Sequence, residues 1–219
     1  MSVFSNWSHT AHKRLASAGF PLPLGQVHQI LSAGFGHNSL ASFRLEDHDA
    51  LERAPRGVVD IDKMQRRAED FNLKVEWYEI FDAIPALHEG SSATPPPYTT
   101  LKRFWAHVMD LVTENIKPIE DEIARSLGGK PYQFEVTAAK PFETIEASLT
   151  VWKWHATGFV YVECADEYFK VPITAEVAFP KRGRHLMDHG YIARLKQTGE
   201  AEPYDEDLPT EFDYQAGND

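Results

Sequence analysis

The period of the hydrophobic pattern changes near residue 130 of this 219-residue chain, and that change limits the folds open to it. From about residue 10 to Leu127 the apolar residues recur at helical spacing, as in Leu101, Phe104, Trp105, Val108, Leu111 and Val112. From Tyr132 to Phe179 the period becomes two. Helices followed by short-connected strands predict an α+β chain: an N-terminal helical module, then helices packed on an antiparallel four-stranded sheet. The expected strands are YQFEVT, ETIEASLTVWKWH, GFVYVEC and YFKVPITAEVAF, with a hairpin turn at His155–Gly158. In the second strand Ile145, Ala147, Leu149 and Val151 share one face and Trp152 and Trp154 the other; Pro172 marks an edge or a bulge in the last. HLMDHGYIARLKQ is expected to return to helix.

Local signals divide the helical part. Thr10 is placed to cap a first helix that stops at Gly19, and Leu24–Ala33 carries a second. Gly34 and Gly36 bracket Phe35 in a turn, Asn38 or Ser39 caps LASFRLED, and Asp60 or Asp62 caps DKMQRRAEDF. Leu73–Leu87 is expected to be buried and mostly helical. The three prolines of GSSATPPPYTT break the pattern and set the main boundary. Beyond it Thr99 or Thr100 caps the next helix, Pro118 ends or kinks that helix, and Gly128-Gly129 stops the one after. The expected parts are a helical module over 1–89, a linker over 90–100, an α+β domain over 101–198 and an acidic tail over 199–219.

The segment Gly25–Phe43 carries a more specific pattern: Val27, Ile30, Leu31, Ala33, Phe35, Gly36, Ser39, Ala41 and Phe43. It resembles a helical module at the N-termini of uncharacterised bacterial proteins carried by plasmids, phages and integrated elements. That module reads Ser-His-Val-x-Glu-hydrophobic-hydrophobic-Ala-Ala-x-Phe-Gly-Tyr-x-Ser-x-Ala-Ala-Phe. Gln26 stands where His is usual and His37 where Tyr is usual. A similar spacing occurs in the N-terminal module of glyoxalase-related proteins, without implying that activity here. The resemblance spans about residues 10–75 and implies a shared scaffold and a mobile-element setting.

Charge and composition narrow the function. Of the 33 acids, eight lie in residues 199–219, which contain no Lys or Arg, leaving 25 acids against 22 bases elsewhere. The net charge of −11 is therefore mainly a property of the tail, whose composition predicts disorder. Its aromatic and acidic residues (Tyr204, Asp205, Glu206, Asp207, Glu211, Phe212, Asp213, Tyr214) suit contact with a basic protein, with Trp152 and Trp154 as a second candidate contact. One cysteine, Cys164, allows no internal disulfide and suits a reducing compartment. No apolar run reaches membrane-spanning or signal-peptide length, so a cytoplasmic location is expected.

No complete catalytic or cofactor signature is present, and an interaction protein without enzymatic activity or cofactor is the first expectation. A helix-turn-helix reader of nucleic acid is the second, but its second helix sets Arg44 against Glu46, Asp47 and Asp49. A metal-dependent hydrolase using His185 and His189 is the third, since a helix would bring both imidazoles to one face. Lys181, Arg182 and Arg184 form a candidate anion site that Lys102 and Arg103 extend if the fold brings them together.

Overall fold

The computed structural model describes residues 2–74, 76, 79, 80, 83, 98–165 and 167–204. It is α+β, with seven helices and eight strands among the described residues. The sheet therefore exceeds the expected four strands. The chain divides into two compact units, and neither is continuous: one takes residues 1–108, 141–154 and 178–191, the other 109–140, 155–177 and 192–219.

In the first unit Ser2 caps α1 (Val3–Ser17) by accepting the Ser5 N–H, eight residues before the Thr10 expected for that role. The Thr10 hydroxyl instead donates to the Asn6 carbonyl one turn back. After α2 (Leu24–Gly34), Gly36 turns the chain at φ 89° and Ser39 caps α3 (Leu40–Glu46), with α4 (His48–Arg53) following directly. A short strand β1 (Arg56–Val59) leads to α5 (Ile61–Asp70), capped by Asp60. These helices close a core around Phe4, Val27, Leu31, Phe43 and Met64. Phe43 is fully buried, 4.5 Å from the Phe4 ring and 5.6 Å from that of Phe35. The expected boundary lies outside the described residues except for Tyr98–Thr100, which form β2 and pair in parallel with β1. The part of Leu73–Leu87 that is described includes Ile80 and Ala83, both buried.

Thr100 caps α6 (Leu101–Asn115), its hydroxyl accepting the Arg103 N–H. Pro118 stands in the first turn of α7 (Lys117–Leu127), which ends at Gly128 in the left-handed conformation. Strands β3 (Lys130–Pro141), β4 (Val151–Cys164) and β5 (Glu167–Arg182) follow, then β6 (His185–Leu186), β7 (Tyr191–Gln197) and β8 (Glu202–Tyr204). The strand order is β2-β1-β6-β5-β4-β3, with β7 and β8 also against β5. In the second unit Ile116, Ile123 and Ala124 pack with Val160, Val162, Val171 and Ile173.

Three expectations are corrected. Residues 142–150 are not strand: the Ala147 and Ser148 N–H groups turn back on the Thr144 carbonyl, which buries Ile145 and leaves Leu149 86% exposed. His155–Gly158 is not a turn, because β4 runs straight through it. Gly158 is there for a close approach, since a Cβ would collide with the Glu135 carbonyl of β3. Residues 185–197 are not helix: β6 pairs with both β1 and β5, and Gly190 at φ 89° turns the chain into β7.

Truncating the most enclosed of these aromatic side chains measures the core directly. Phe43→Ala is expected to lower unfolding free energy by about 3–5 kcal/mol, read by urea denaturation with far-UV circular dichroism.

Candidate functional site

The first unit contains a cleft of about 1530 Å³. Val59, Ile61, Ile145 and Trp152 give it an apolar lining. Asp60, Asp62 and Lys63 come from the capped start of α5, and Lys102, Arg103 and Trp105 from the first turns of α6. Glu143 and Glu146 come from the 142–150 turn, and Arg184 from the β5–β6 turn. On α6 the inward positions Phe104, Val108 and Val112 are buried, while Leu101 and Trp105 remain 46% and 44% exposed. The apolar stripe of this helix is wider than the core behind it, and its outer edge enters the cleft.

Arg184 is 7% exposed and bonded to the first unit's own groups. Its guanidinium donates to the Val58 carbonyl at 3.1 Å, to Asp60 Oδ2 at 3.1 Å and to the Glu146 carboxylate. Lys63 Nζ donates to the same Glu146 oxygen at 2.8 Å. Burial pushes the Glu146 carboxyl up, but the hydrogen bonds from Lys63 and Arg184 outweigh it and hold its pKa at about 2. Lys181 is also buried, its Nζ donating to the Gly183 carbonyl, and burial pulls its ammonium below the ordinary lysine range. The expected anion site thus holds carboxylates of the protein itself at Arg184. Lys102 and Arg103 line the same cleft as Arg184.

Behind this turn lies a buried polar knot. His37 Nε2 is 2.8 Å from Asp47 Oδ2, and its Nδ1 is 3.0 Å from Ser42 Oγ. His185 Nε2 approaches the same Asp47 oxygen at 3.6 Å, and its ring stacks on Phe35 at 4.9 Å. Gly183 sits at φ 57° directly against Asp47, where any side chain would strike the carboxylate. Burial first, then the neighbouring His37 and Arg182, lowers the His185 pKa to about 3. A neutral, wholly buried imidazole on β6 does not share a helix face with His189, so the metal-binding geometry expected of that pair is absent. Among the described residues no group of three or more His, Cys, Asp or Glu side chains is placed to hold a metal ion.

Trp152 and Trp154 are 0% and 2% exposed; the Trp152 ring stacks on Phe104 and the Trp154 ring lies tilted against it in the core. Their burial leaves neither exposed to a partner, although Trp152 is among the residues around the cleft. Tyr204 belongs to β8, which pairs with Tyr168–Lys170, and its ring lies 4.8 Å from that of Tyr161. The tail expected from residue 199 thus carries a strand at Glu202–Tyr204, and Asp205, Glu206, Asp207, Glu211, Phe212, Asp213 and Tyr214 lie outside the described residues. Among the described residues no helix is long and apolar enough to cross a membrane.

No family model, curated protein or solved structure matches the chain. The half-exposed Leu101 and Trp105 of the cleft carried no separate signal in the sequence, because they continue the spacing of the buried stripe. Glu146 was masked by its apparent place in a strand.

Acid should loosen this unit in two separable steps. The unfolded chain protonates His185 near pH 6.5, whereas the folded chain resists until about 3. Stability is therefore complete above 6.5 and falls as pH drops through that window, by at most about 1.4 kcal/mol per pH unit. Glu146 adds a second loss from about pH 4.5 towards 2, as its ion pairs are neutralised. His185→Phe should flatten the dependence of the thermal midpoint between pH 7 and 5, and Glu146→Gln only that below pH 4.5.

Proposed function

We propose that this chain is a non-enzymatic interaction protein whose cleft holds an amphipathic segment of a basic partner protein. The observation that carries this reading is the pair of half-exposed side chains, Leu101 and Trp105, facing a cleft larger than the roughly 300–1000 Å³ of ordinary small-molecule sites. Apolar anchors of a partner suit the floor of Ile61, Ile145 and Trp105, as when a helix seats in a groove. Asp62 and Glu143 at the rim accept its basic side chains, and Lys102 and Arg103 fix its orientation. The net charge of −11 favours encounter with a basic protein and opposes nucleic acid. In the mobile-element setting implied by the N-terminal resemblance, the partner is a host protein, and blocking its nucleic-acid-binding surface is the effect.

A photo-crosslinking amino acid in place of Trp105, with the same group in place of the 83% exposed Leu45 as control, tests this in the native host. Position 105 should yield adducts with a basic protein that position 45 does not. Trp105→Glu should weaken the recovered complex about thirty-fold, the range of an aromatic hot spot, while leaving circular dichroism unchanged. Identical adducts at both positions, or adducts with nucleic acid alone, would overturn the reading.

A further inference from the structure

Strand β3 ends the sheet: β4 is its one neighbour among the described strands. It is twelve residues long, and none of its residues is fully buried, whereas β4 and β5 alternate with buried positions. Sheet proteins normally guard such an edge with lysines, prolines or bulges that discourage a further strand. Here those residues stand only at the ends, as Lys130, Pro131, Lys140 and Pro141. The interior from Tyr132 to Ala139 has no proline, no basic residue and one acid, Glu135. That acid is already engaged, since the Tyr161 hydroxyl donates to its carboxylate at 2.9 Å. Burial and this carboxylate raise the Tyr161 pKa, so the phenol stays protonated and the bond persists across the physiological range. The interior of the strand is therefore an unguarded row of backbone donors and acceptors.

We infer that β3 pairs with β3 of a second copy of this chain, antiparallel, to form a continuous sheet across a two-fold axis. Symmetry restricts the register. Residues opposite one another must point to the same face, so they are an even number of positions apart and the axis falls on a residue. Centring on Glu135 sets two carboxylates directly opposite, which is unfavourable. Centring on Val136 gives an equally long overlap without that conflict. Val136 then faces itself, Glu135 faces Thr137, Phe134 faces Ala138, and Tyr132, which is 45% exposed, faces Lys140. Each of these is a compatible cross-strand pair, the last with a cation over an aromatic ring. The paired residues from Tyr132 to Lys140 belong to the second unit, and none of them lines the cleft.

Analytical ultracentrifugation of the full chain should show twice the 24.8 kDa chain mass at micromolar concentration. Val136→Lys and Val136→Glu, each placing like charges opposite one another, should run as monomers with unchanged circular dichroism. Mixing the two should restore a heterodimer, which misfolded variants would not do. With Cys164→Ser removing the native thiol, Val136→Cys should form an intermolecular disulfide on mild oxidation, and Glu135→Cys should form several-fold less. A wild-type mass of 24.8 kDa at all concentrations, a dimer that survives Val136→Lys, or no recovery on mixing would overturn the inference.

Discussion

The guanidinium of Arg184 is held from three directions at once: by the Val58 carbonyl of β1, the Asp60 carboxylate that caps α5, and the Glu146 carboxylate of the 142–150 turn. These groups are remote in sequence, the carbonyl 126 residues away and Glu146 38. A buried cation with one such partner would be a liability, because desolvation exceeds what a single ion pair returns. Three acceptors around one guanidinium change that balance, and the fixed fork of donors on arginine suits them where the point charge of lysine does not. Two neighbours depend on this placement. Gly183 stands against Asp47, and His185 reaches the same carboxylate from the other side of Arg184 in the chain. The turn Gly183-Arg184-His185 thereby ties α2, α3 and α5 to the strands of the first unit.

Signals that act over a few residues were readable. The turn at Gly36, the caps Ser39, Asp60 and Thr100, the break at Pro118 and the left-handed Gly128 all lie where local chemistry puts them. Apart from the Thr10 cap, which is a local error, the misreadings share one cause, the action of distant chain on a short segment. ETIEASLT alternates well enough for a strand, yet Glu146 is drawn out of it by Arg184 and Lys63, and the segment folds into a turn. HLMDHGYIARLKQ has helix formers, but its first two residues complete a strand between β1 and β5. Gly158 has the look of a turn residue, and its actual constraint is the Glu135 carbonyl of a neighbouring strand. The interleaving of the two units has the same character, because α6, β3, β4 and β5 each contribute residues to both.

Site residues divide along the same line. The basic run 181–184 was visible as charge, but its burial and its internal anions depend on tertiary contacts. The histidines were visible as a pair at helical spacing, and that spacing lost its meaning once β6 replaced the helix. Trp152 and Trp154 illustrate the converse: aromatic residues conspicuous in the sequence lie in the core, while Trp105, one of several residues in a regular stripe, reaches solvent.

The ion pairs that hold Arg184 also determine what the cleft can do. Asp60, Glu146, Lys63 and Arg184 neutralise one another along one wall, which leaves that wall polar, close to electrically balanced and fixed in position. The cleft is also lined by Asp62 and Glu143 and by Lys102 and Arg103, charges of both signs. On the proposed reading, such a site would discriminate by the arrangement of charges along a partner more than by their sum. Most of the net charge of −11 comes from the eight acids of residues 199–219, and on the proposed reading it favours encounter with a basic partner. If the cleft holds a basic partner as proposed, salt should slow association more than it weakens the contacts made inside the cleft, because screening acts more strongly on exposed charges than on enclosed ones.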